Sequence, residues 1–239
     1  MTAADVAADL AAVADPADAV FLQRFFKTGP GQYGEGDVFL GVRVPATRKV
    51  VKLYNDLPLD QVDVLLDSEV HEHRLAALLI LNVQYAKAAK KSDVDAQKKI
   101  VDLYLAALRR GRVNNWDLVD SSAENIIGPW LFDKSQDLLF ELAAGESLWE
   151  RRVALLSTFA FIKRGDATVT FDVAERLLSD RADLIQKALG WMLREVGKKI
   201  DRGLLETFLD THASAMGRTA LSYATEHFDP ETRKALRAR

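Results

Sequence analysis

Apolar residues recur every three to four positions along most of this chain, which is the spacing of one face of an α-helix. Proline, glycine and small polar residues separate the segments and supply start and stop signals. The pattern therefore predicts an all-α protein. The predicted helices span residues 3–13, 18–27, 45–55, 58–67, 68–90, 92–110, 115–128, 132–143, 147–164, 167–179, 182–199 and 203–215, followed by two short helices.

One long stretch, residues 28–45, interrupts this pattern and contains five glycines and two prolines. Its segment VFLGVRV has the composition of a strand, but no second strand is predicted to pair with it. The glycines of GPGQYGEG are not preceded by a strand or followed by Lys-Ser/Thr, so a phosphate-binding loop is not indicated. We expect an ordered loop whose backbone can approach another molecule closely.

The predicted helix at residues 115–128 carries the first sign of a functional site. Asn114 or Asn115 can cap its start, and Gly128 followed by proline is a stop signal. Trp116 and Asp120 are four residues apart and share one helix face. Aspartate is unfavourable inside a helix, so this face is a candidate site. Taken singly, Trp116 can instead pack between helices, and Asp120 can form a structural hydrogen bond or ion pair.

Three of the predicted helices open with a basic residue and an apolar run, at Arg74, Arg152 and Lys187. Their separations of 78 and 35 residues fit two and one periods of a helix-pair repeat of about 40 residues. Equivalent positions of stacked repeats line one surface. We therefore expect Trp116, Asp120, Arg152 and Trp191 to converge on one concave face. Taken singly, Arg152 can instead be an ion-pair residue, and Trp191 can instead be a core residue.

Composition narrows the classes of function. The 239 residues include no cysteine, which excludes disulfides, thiolate nucleophiles and cysteine-ligated metals. No apolar stretch of about 18 residues or signal-like start is present, so we expect a cytoplasmic protein without a membrane segment. No linker divides the chain, and we expect one domain over residues 1–239, with an acidic helix in residues 1–20 capping the array. The net charge of -3 leaves nucleic-acid binding open, because four aspartates and no basic residue lie in those first twenty.

The segments NNWDLVDS, LWERRVALL and IQKALGWMLRE, in this order, resemble the AlkD family of DNA alkylation-repair glycosylases, which are built from HEAT-like helical repeats. The likeness extends from about Leu22 to about His227. It implies that Asp120 is catalytic, that Trp116 and Trp191 flank the lesion, and that Arg152 contacts the DNA backbone. The family's aromatic residue in the second helix, often tyrosine, corresponds to Phe25, so a role for its hydroxyl group is lost or moved.

The residue types suit this chemistry. A purine alkylated at N3 or N7 is a cation and a good leaving group, so the enzyme needs only to stabilise an oxocarbenium-like sugar and orient a water. Asp120 can do both, and tryptophan faces attract cations. Duplex DNA with alkylated purines is the expected partner, and we expect a monomer without cofactor or metal. Further DNA-binding candidates are Arg151, Phe25, Arg43, Arg48 and Lys187. The alternatives are a non-catalytic DNA-binding repeat protein and a protein-interaction scaffold.

Overall fold

The computed structural model describes residues 1–238, in which helices joined by short turns account for nearly all regular structure. The all-α helical-repeat prediction is confirmed. Sixteen α-helices lie in this part of the chain: α1 Ala3–Ala11, α2 Pro16–Gln23, α3 Val44–Val51, α4 Leu59–Leu66, α5 His71–Lys90, α6 Val94–Arg109, α7 Trp116–Asp120, α8 Ala123–Trp130, α9 Asp137–Ala144, α10 Leu148–Ser157, α11 Phe159–Ile162, α12 Thr168–Leu177, α13 Asp183–Lys199, α14 Arg202–His212, α15 Arg218–Ala224 and α16 Pro230–Arg237.

The chain forms two compact units, Met1–Ile126 and Ile127–Arg239. In the first unit, α5 is the central helix and packs on α1, α3, α4, α6 and α7. Every residue from Leu75 to Leu81 is buried, so α5 is surrounded on all sides. In the second unit, α13 has the corresponding role and packs on α10, α11, α12, α14 and α15. Each unit therefore has its own hydrophobic core around one long helix.

The prediction of a single helix over residues 115–128 is wrong in two respects. It is broken between α7 and α8, because the Ser122 hydroxyl donates to the Leu118 carbonyl oxygen at 2.6 Å and offers the backbone an alternative to continuous helix. It also does not end at Gly128, since α8 continues to Trp130 with Pro129 in its last turn. The candidate residues Trp116 and Asp120 consequently lie on a helix of only five residues.

Gly128 is required for packing and does not terminate the helix. A Cβ atom there would lie 2.5 Å from the carbonyl oxygen of Ser157 and 2.6 Å from the Cβ of Ala160. We expect Gly128→Ala to lower the free energy of unfolding by about 1–3 kcal/mol, as overpacking does in other cores. Urea titration followed by circular dichroism measures this. Gly29→Ala is the control, because its Cβ would meet only the flexible end of Gln32 at 3.2 Å, and equal stabilities of the two variants would contradict the argument.

Other helix boundaries differ for local reasons. The helix predicted from Ser68 begins at His71, since the Ser68 hydroxyl instead accepts from the backbone N–H of Val70. Ser92 has a positive φ of 55°, so Asp93 caps α6. The helix predicted over residues 147–164 is divided into α10 and α11 at Thr158. Starts with a strong capping residue agree better, because a side-chain acceptor fixes the first turn.

The long irregular stretch is an ordered loop, as predicted, and we call residues 28–43 the glycine loop. The expectation that VFLGVRV has no partner is wrong at one position. Val38 forms a parallel bridge with Val70, in which the Val38 N–H donates to the Glu69 carbonyl oxygen at 3.1 Å and the His71 N–H donates to the Val38 carbonyl oxygen at 2.8 Å. This bridge ties the glycine loop to the start of α5.

Candidate active site

Helix α7 presents the two residues that the sequence singled out. Asn115 is its N-cap and accepts a hydrogen bond from the Trp116 N–H at 2.9 Å, which settles the choice between the two asparagines. Leu118 and Val119 point into the core and are buried. Trp116 and Asp120 are both partly exposed. The amphipathic pattern of this short helix thus leaves an indole and a carboxylate accessible on the same side.

Trp116 lies against a cluster of rings. Phe26 stacks on it with ring centroids 5.4 Å apart, and Phe39 stacks on Phe26 at 5.0 Å. The imidazole of His71 contacts both phenylalanines, at 4.9 and 4.8 Å. Phe25, the residue chosen from the sequence, is 59% exposed and packs edge-on against Phe21. The aromatic neighbour of Trp116 is therefore Phe26, and the indole ring has a firm support on one side.

Beneath these rings lies a buried charged cluster, the His71 network, made of Asp37, His71, Arg74 and Asp117. The two ring nitrogens of His71 each face a carboxylate, Nδ1 with Asp37 at 3.3 Å and Nε2 with Asp117 at 2.8 Å. Arg74 donates to Asp37 at 2.6 Å. Burial lowers the pKa of His71, but the two carboxylates outweigh it and raise the pKa to about 9. The imidazole is therefore protonated at neutral pH.

The start of α5 also holds the glycine loop directly. Glu72 is buried, and its carboxylate accepts hydrogen bonds from the backbone N–H groups of Leu40, Gly41 and Val42 at 2.8–3.2 Å. Gly41 has a φ of 83° and approaches the carbonyl oxygen of Asp15 so closely that a Cβ would lie 2.0 Å away. His71, Glu72 and Arg74 thus fix the loop that places Phe39 in the ring cluster.

The surroundings of Asp120 are partly polar. Tyr104 is completely buried, and its hydroxyl oxygen lies 3.2 Å from the Oγ atom of Ser122, within hydrogen-bond distance. Burial raises the pKa of Tyr104, and the negative charge of nearby Asp120 raises it further. Asn82 donates to the carbonyl oxygen of Ser121 at 2.8 Å, which fixes the residue directly after Asp120. The end of α7 is thus held by side chains from α5 and α6.

In the second unit, Trp191 lies on α13 and is partly exposed. Its ring is 6.3 Å from that of Phe159, centroid to centroid. The Nζ atoms of Lys163 and Lys199 lie 4.8 and 5.6 Å from the Phe159 centroid, within the range of cation–π attraction. Spacings of four, three and four residues place a basic and aromatic stripe on one face of α13. It consists of Lys187, Trp191, Arg194 and Lys198.

The two adjacent arginines of α10 are held within the protein. Arg152 is only 4% exposed and donates to the backbone carbonyl oxygen of Leu184, in the first turn of α13. Arg151 pairs with Asp180 at 2.7 Å and donates to the carbonyl oxygens of Gly145 and Glu146. These contacts compete with a phosphate for the guanidinium of Arg151. The hydrogen bond of Arg152 therefore joins α10 to the start of α13.

The remaining sequence candidates are surface residues. Arg43 forms two hydrogen bonds of 2.6 Å with Asp18, and its guanidinium lies 5.9 Å from the centroid of Phe21. Arg48 is exposed on α3. Lys187 forms an ion pair with Asp183 at 2.8 Å. Exposed pairs of this kind exchange readily for a phosphate, because solvent screens the attraction between their charges.

Residues 1–238 contain no group of three or more His, Cys, Asp or Glu side chains arranged to hold a metal ion. In the same part of the chain, none of the helices has both the length and the apolar composition that crossing a bilayer requires.

A model of the DNA alkylation repair enzyme family matches residues 6–228. The chain belongs to this family. The fold is similar to that of a structure described as a predicted DNA alkylation repair enzyme from Enterococcus faecalis, with a TM-score of 0.68, 15% sequence identity, and coverage of 91% of this chain and 97% of that one. No curated protein matches the sequence. The resemblance inferred from the three segments is confirmed at the level of the family.

Sequence reasoning missed several residues of this family member's candidate site. The sequence pattern indicated Phe25 and not Phe26. It also did not connect Trp116 with Asp37, His71 and Asp117. One local signal was present: HEHR places four consecutive polar residues directly before the unbroken apolar run at residues 75–81. Such a run at a buried position needs partners elsewhere, since buried polar groups are nearly always hydrogen-bonded.

The His71 network predicts a pH dependence of stability. The folded-state pKa of His71, about 9, exceeds its ordinary value of 6.5, so its contribution is complete below 6.5 and is lost as pH rises through about 9. Burial raises the pKa of Asp37, but His71 and Arg74 outweigh it and lower that pKa, so the contribution of Asp37 disappears only as pH falls through the lowered value. Urea unfolding between about pH 6 and pH 10 tests the alkaline side. His71→Leu should remove most of the decline, whereas an identical decline in that variant would contradict the assignment.

Proposed function

We propose that this member of the DNA alkylation repair enzyme family is a monofunctional DNA glycosylase. It would release cationic alkylated purines, such as 7-alkylguanine and 3-alkyladenine, from duplex DNA and leave an abasic site. The observation that carries this proposal is the face of α7, where Trp116 and Asp120 are both accessible and Phe26 backs the indole. Membership of a repair family supports DNA as the substrate.

The reaction needs little from the protein beyond a fixed negative charge. The N-glycosidic bond breaks with its electron pair going to the base, which becomes neutral because it was already a cation. The sugar becomes an oxocarbenium-like cation at C1′. A water oxygen then bonds to C1′ and loses a proton. The Asp120 carboxylate can stabilise the sugar cation electrostatically and accept a hydrogen bond from the water. Neither a general acid nor a metal is required by this sequence of steps.

The two tryptophans would stabilise the cationic, oxocarbenium-like state of the substrate. An indole face attracts a cationic nucleotide by about 0.5–2 kcal/mol, depending on desolvation. Phe26 stacks against Trp116 and limits its movement, so less entropy is lost when the ring meets the substrate. Trp191, whose ring lies beside that of Phe159, is proposed to offer a second indole face of this kind. Such faces can hold a nucleotide without a deep base pocket, and we propose that the base is not flipped.

The basic residues would contact the phosphate backbone without reading sequence. Arg152 is proposed as one backbone contact, and Arg43, Arg48 and Lys187 as others. Exposed Phe25 would pack against a sugar or an unpaired base. The protein is proposed to act as a monomer, with residues 1–239 as one functional domain capped by its acidic amino-terminal helix, in the cytoplasm.

Release of 7-methylguanine from a duplex oligonucleotide tests the proposal. Alkaline treatment converts each abasic site into a strand break, and an unmodified duplex gives the background. We expect release from the modified duplex only, together with binding that weakens steeply with salt. Salt-sensitive binding without release would instead support the non-catalytic DNA-binding alternative. Absence of both release and binding would leave the protein-interaction scaffold.

A further inference from the structure

The His71 network lies directly behind the candidate site and is not part of the chemistry described above. His71 is 3% exposed, and both of its ring nitrogens face carboxylate oxygens. A neutral imidazole has one N–H and one lone pair, so it would turn a lone pair toward one of the two carboxylates. Only the doubly protonated ring can donate to Asp37 and Asp117 together. The geometry itself therefore requires the charged form of His71.

The charges that face this imidazole come from three elements. Asp37 belongs to the glycine loop, Asp117 to α7, and Arg74 to the same helix as His71. Asn115, the N-cap of α7, donates to Asp37 at 3.3 Å and adds a neutral hydrogen bond. Two negative and two positive groups balance one another. Loss of the His71 proton would leave a net negative charge in a buried site, and the contact with one carboxylate would become repulsive.

The network acts on a short helix that has little backbone support of its own. Helix α7 has five residues, and its successor begins only after a break, so few backbone hydrogen bonds hold it. Asp117 immediately follows Trp116 and lies one turn before Asp120. His71 also touches Phe26, which stacks on Trp116. A side-chain tie at Asp117 consequently sets the orientation of both candidate residues.

We propose that His71 is a positioning residue: its imidazolium joins Asp37 of the glycine loop to Asp117 of α7 and thereby holds Trp116 and Asp120 in the arrangement that base release requires. This inference rests on the proposed glycosylase function. His71 is too buried to touch DNA, so its effect is on geometry and not on contact with the substrate. Misplacing a catalytic group by about 1 Å can slow a reaction about a hundredfold.

Single-turnover release of 7-methylguanine by His71→Leu and by the milder Asp117→Asn tests the proposal. We expect both variants to be slower by at least about tenfold, with little change in duplex affinity. The wild-type rate should also fall as pH rises through about 9, the pKa of His71, and this decline should be absent from both variants. A folded His71→Leu protein that matches the wild-type rate, or that retains the alkaline decline, would overturn the proposal.

His73→Gln is the matched control. His73 lies two residues away on α5 and is only partly buried, and it hydrogen-bonds Ser68 through Nδ1 at 2.9 Å without facing α7. It should keep both the rate and the alkaline decline of the wild type. A loss of rate in this variant equal to that in His71→Leu would point to general damage to α5 and would contradict a specific role for His71.

Two measurements on the protein alone separate this inference from the proposed function. Ring-nitrogen magnetic resonance of labelled histidine should show His71 protonated at both nitrogens up to about pH 9. Hydrogen exchange at residues 116–122 should be faster in His71→Leu than in the wild type. If the wild type releases no base but these results hold, the glycosylase proposal fails and the positioning of α7 stands. A neutral His71 at pH 7, or unchanged exchange, would overturn the positioning role.

Discussion

Asp120→Asn is expected to slow the release of 7-methylguanine by about 10²- to 10³-fold, the usual loss when one electrostatic stabiliser is removed from an active site. The amide has nearly the same size and can still orient a water, but it carries no negative charge to meet the oxocarbenium-like sugar. Duplex affinity should change little, because Asp120 is proposed to act on the transition state and not on the ground state. Single-turnover kinetics with alkaline strand cleavage measures the chemical step.

Asp102→Asn is a suitable control for this experiment. Asp102 is an exposed carboxylate on α6 that pairs with Lys98 at 2.6 Å, so the same change of charge occurs away from α7. This variant should release base at the wild-type rate. Equal rates for Asp120→Asn and Asp102→Asn would show that the charge of Asp120 has no part in the reaction, and the catalytic assignment would then be abandoned.

Arg74→Met is expected to destabilise the first unit by about 3–5 kcal/mol, the usual cost of removing one member of a buried charge pair. Arg74 is 1% exposed and donates to Asp37 and to the Ser68 carbonyl oxygen. Methionine fills much of the same volume, so the loss reports the missing charge more than a cavity. Urea unfolding, with hydrogen exchange of peptides from residues 1–126, measures the effect and locates it.

Arg110→Met provides the comparison. Arg110 also joins two carboxylates, Asp63 and Asp67, but its side chain is 33% exposed. Solvent screens such pairs, and this change should cost less than about 1 kcal/mol. Similar losses in the two variants would mean that burial of the His71 network does not set the strength of its interactions.

Most of the helices were predictable because they bury an apolar stripe that repeats with the helical period. The exact ends of the helices were less predictable, and the end of α2 determines which phenylalanine lies in the candidate site. The second helix was predicted to reach Lys27 but ends at Gln23, and the chain then turns. Phe25 and Phe26 are adjacent and alike in chemistry, so only the path of that turn determines that Phe26 stacks on Trp116.

The His71 network illustrates a different limit. Asp37 and Asp117 lie 34 and 46 residues from His71 in the sequence, and no local periodicity connects them. Their pairing depends on the glycine loop, α5 and α7 meeting in three dimensions. The Trp116–Asp120 pair, by contrast, follows from spacing within a single turn of helix. Local geometry was therefore available from the sequence, whereas the electrostatic support beneath it was not.

The contact between Glu72 and the glycine loop has a consequence for engineering. The Glu72 carboxylate binds backbone N–H groups, so it places no demand on the side chains at positions 40 and 42. At the tip of the loop, Gln32 and Glu35 are exposed and do not take part in that anchor, whereas Gly34 is buried and Gly31 and Gly36 have positive φ angles. Positions 32 and 35 can therefore be varied while the base of the loop stays in place, which makes them natural positions for a library that alters what the protein binds.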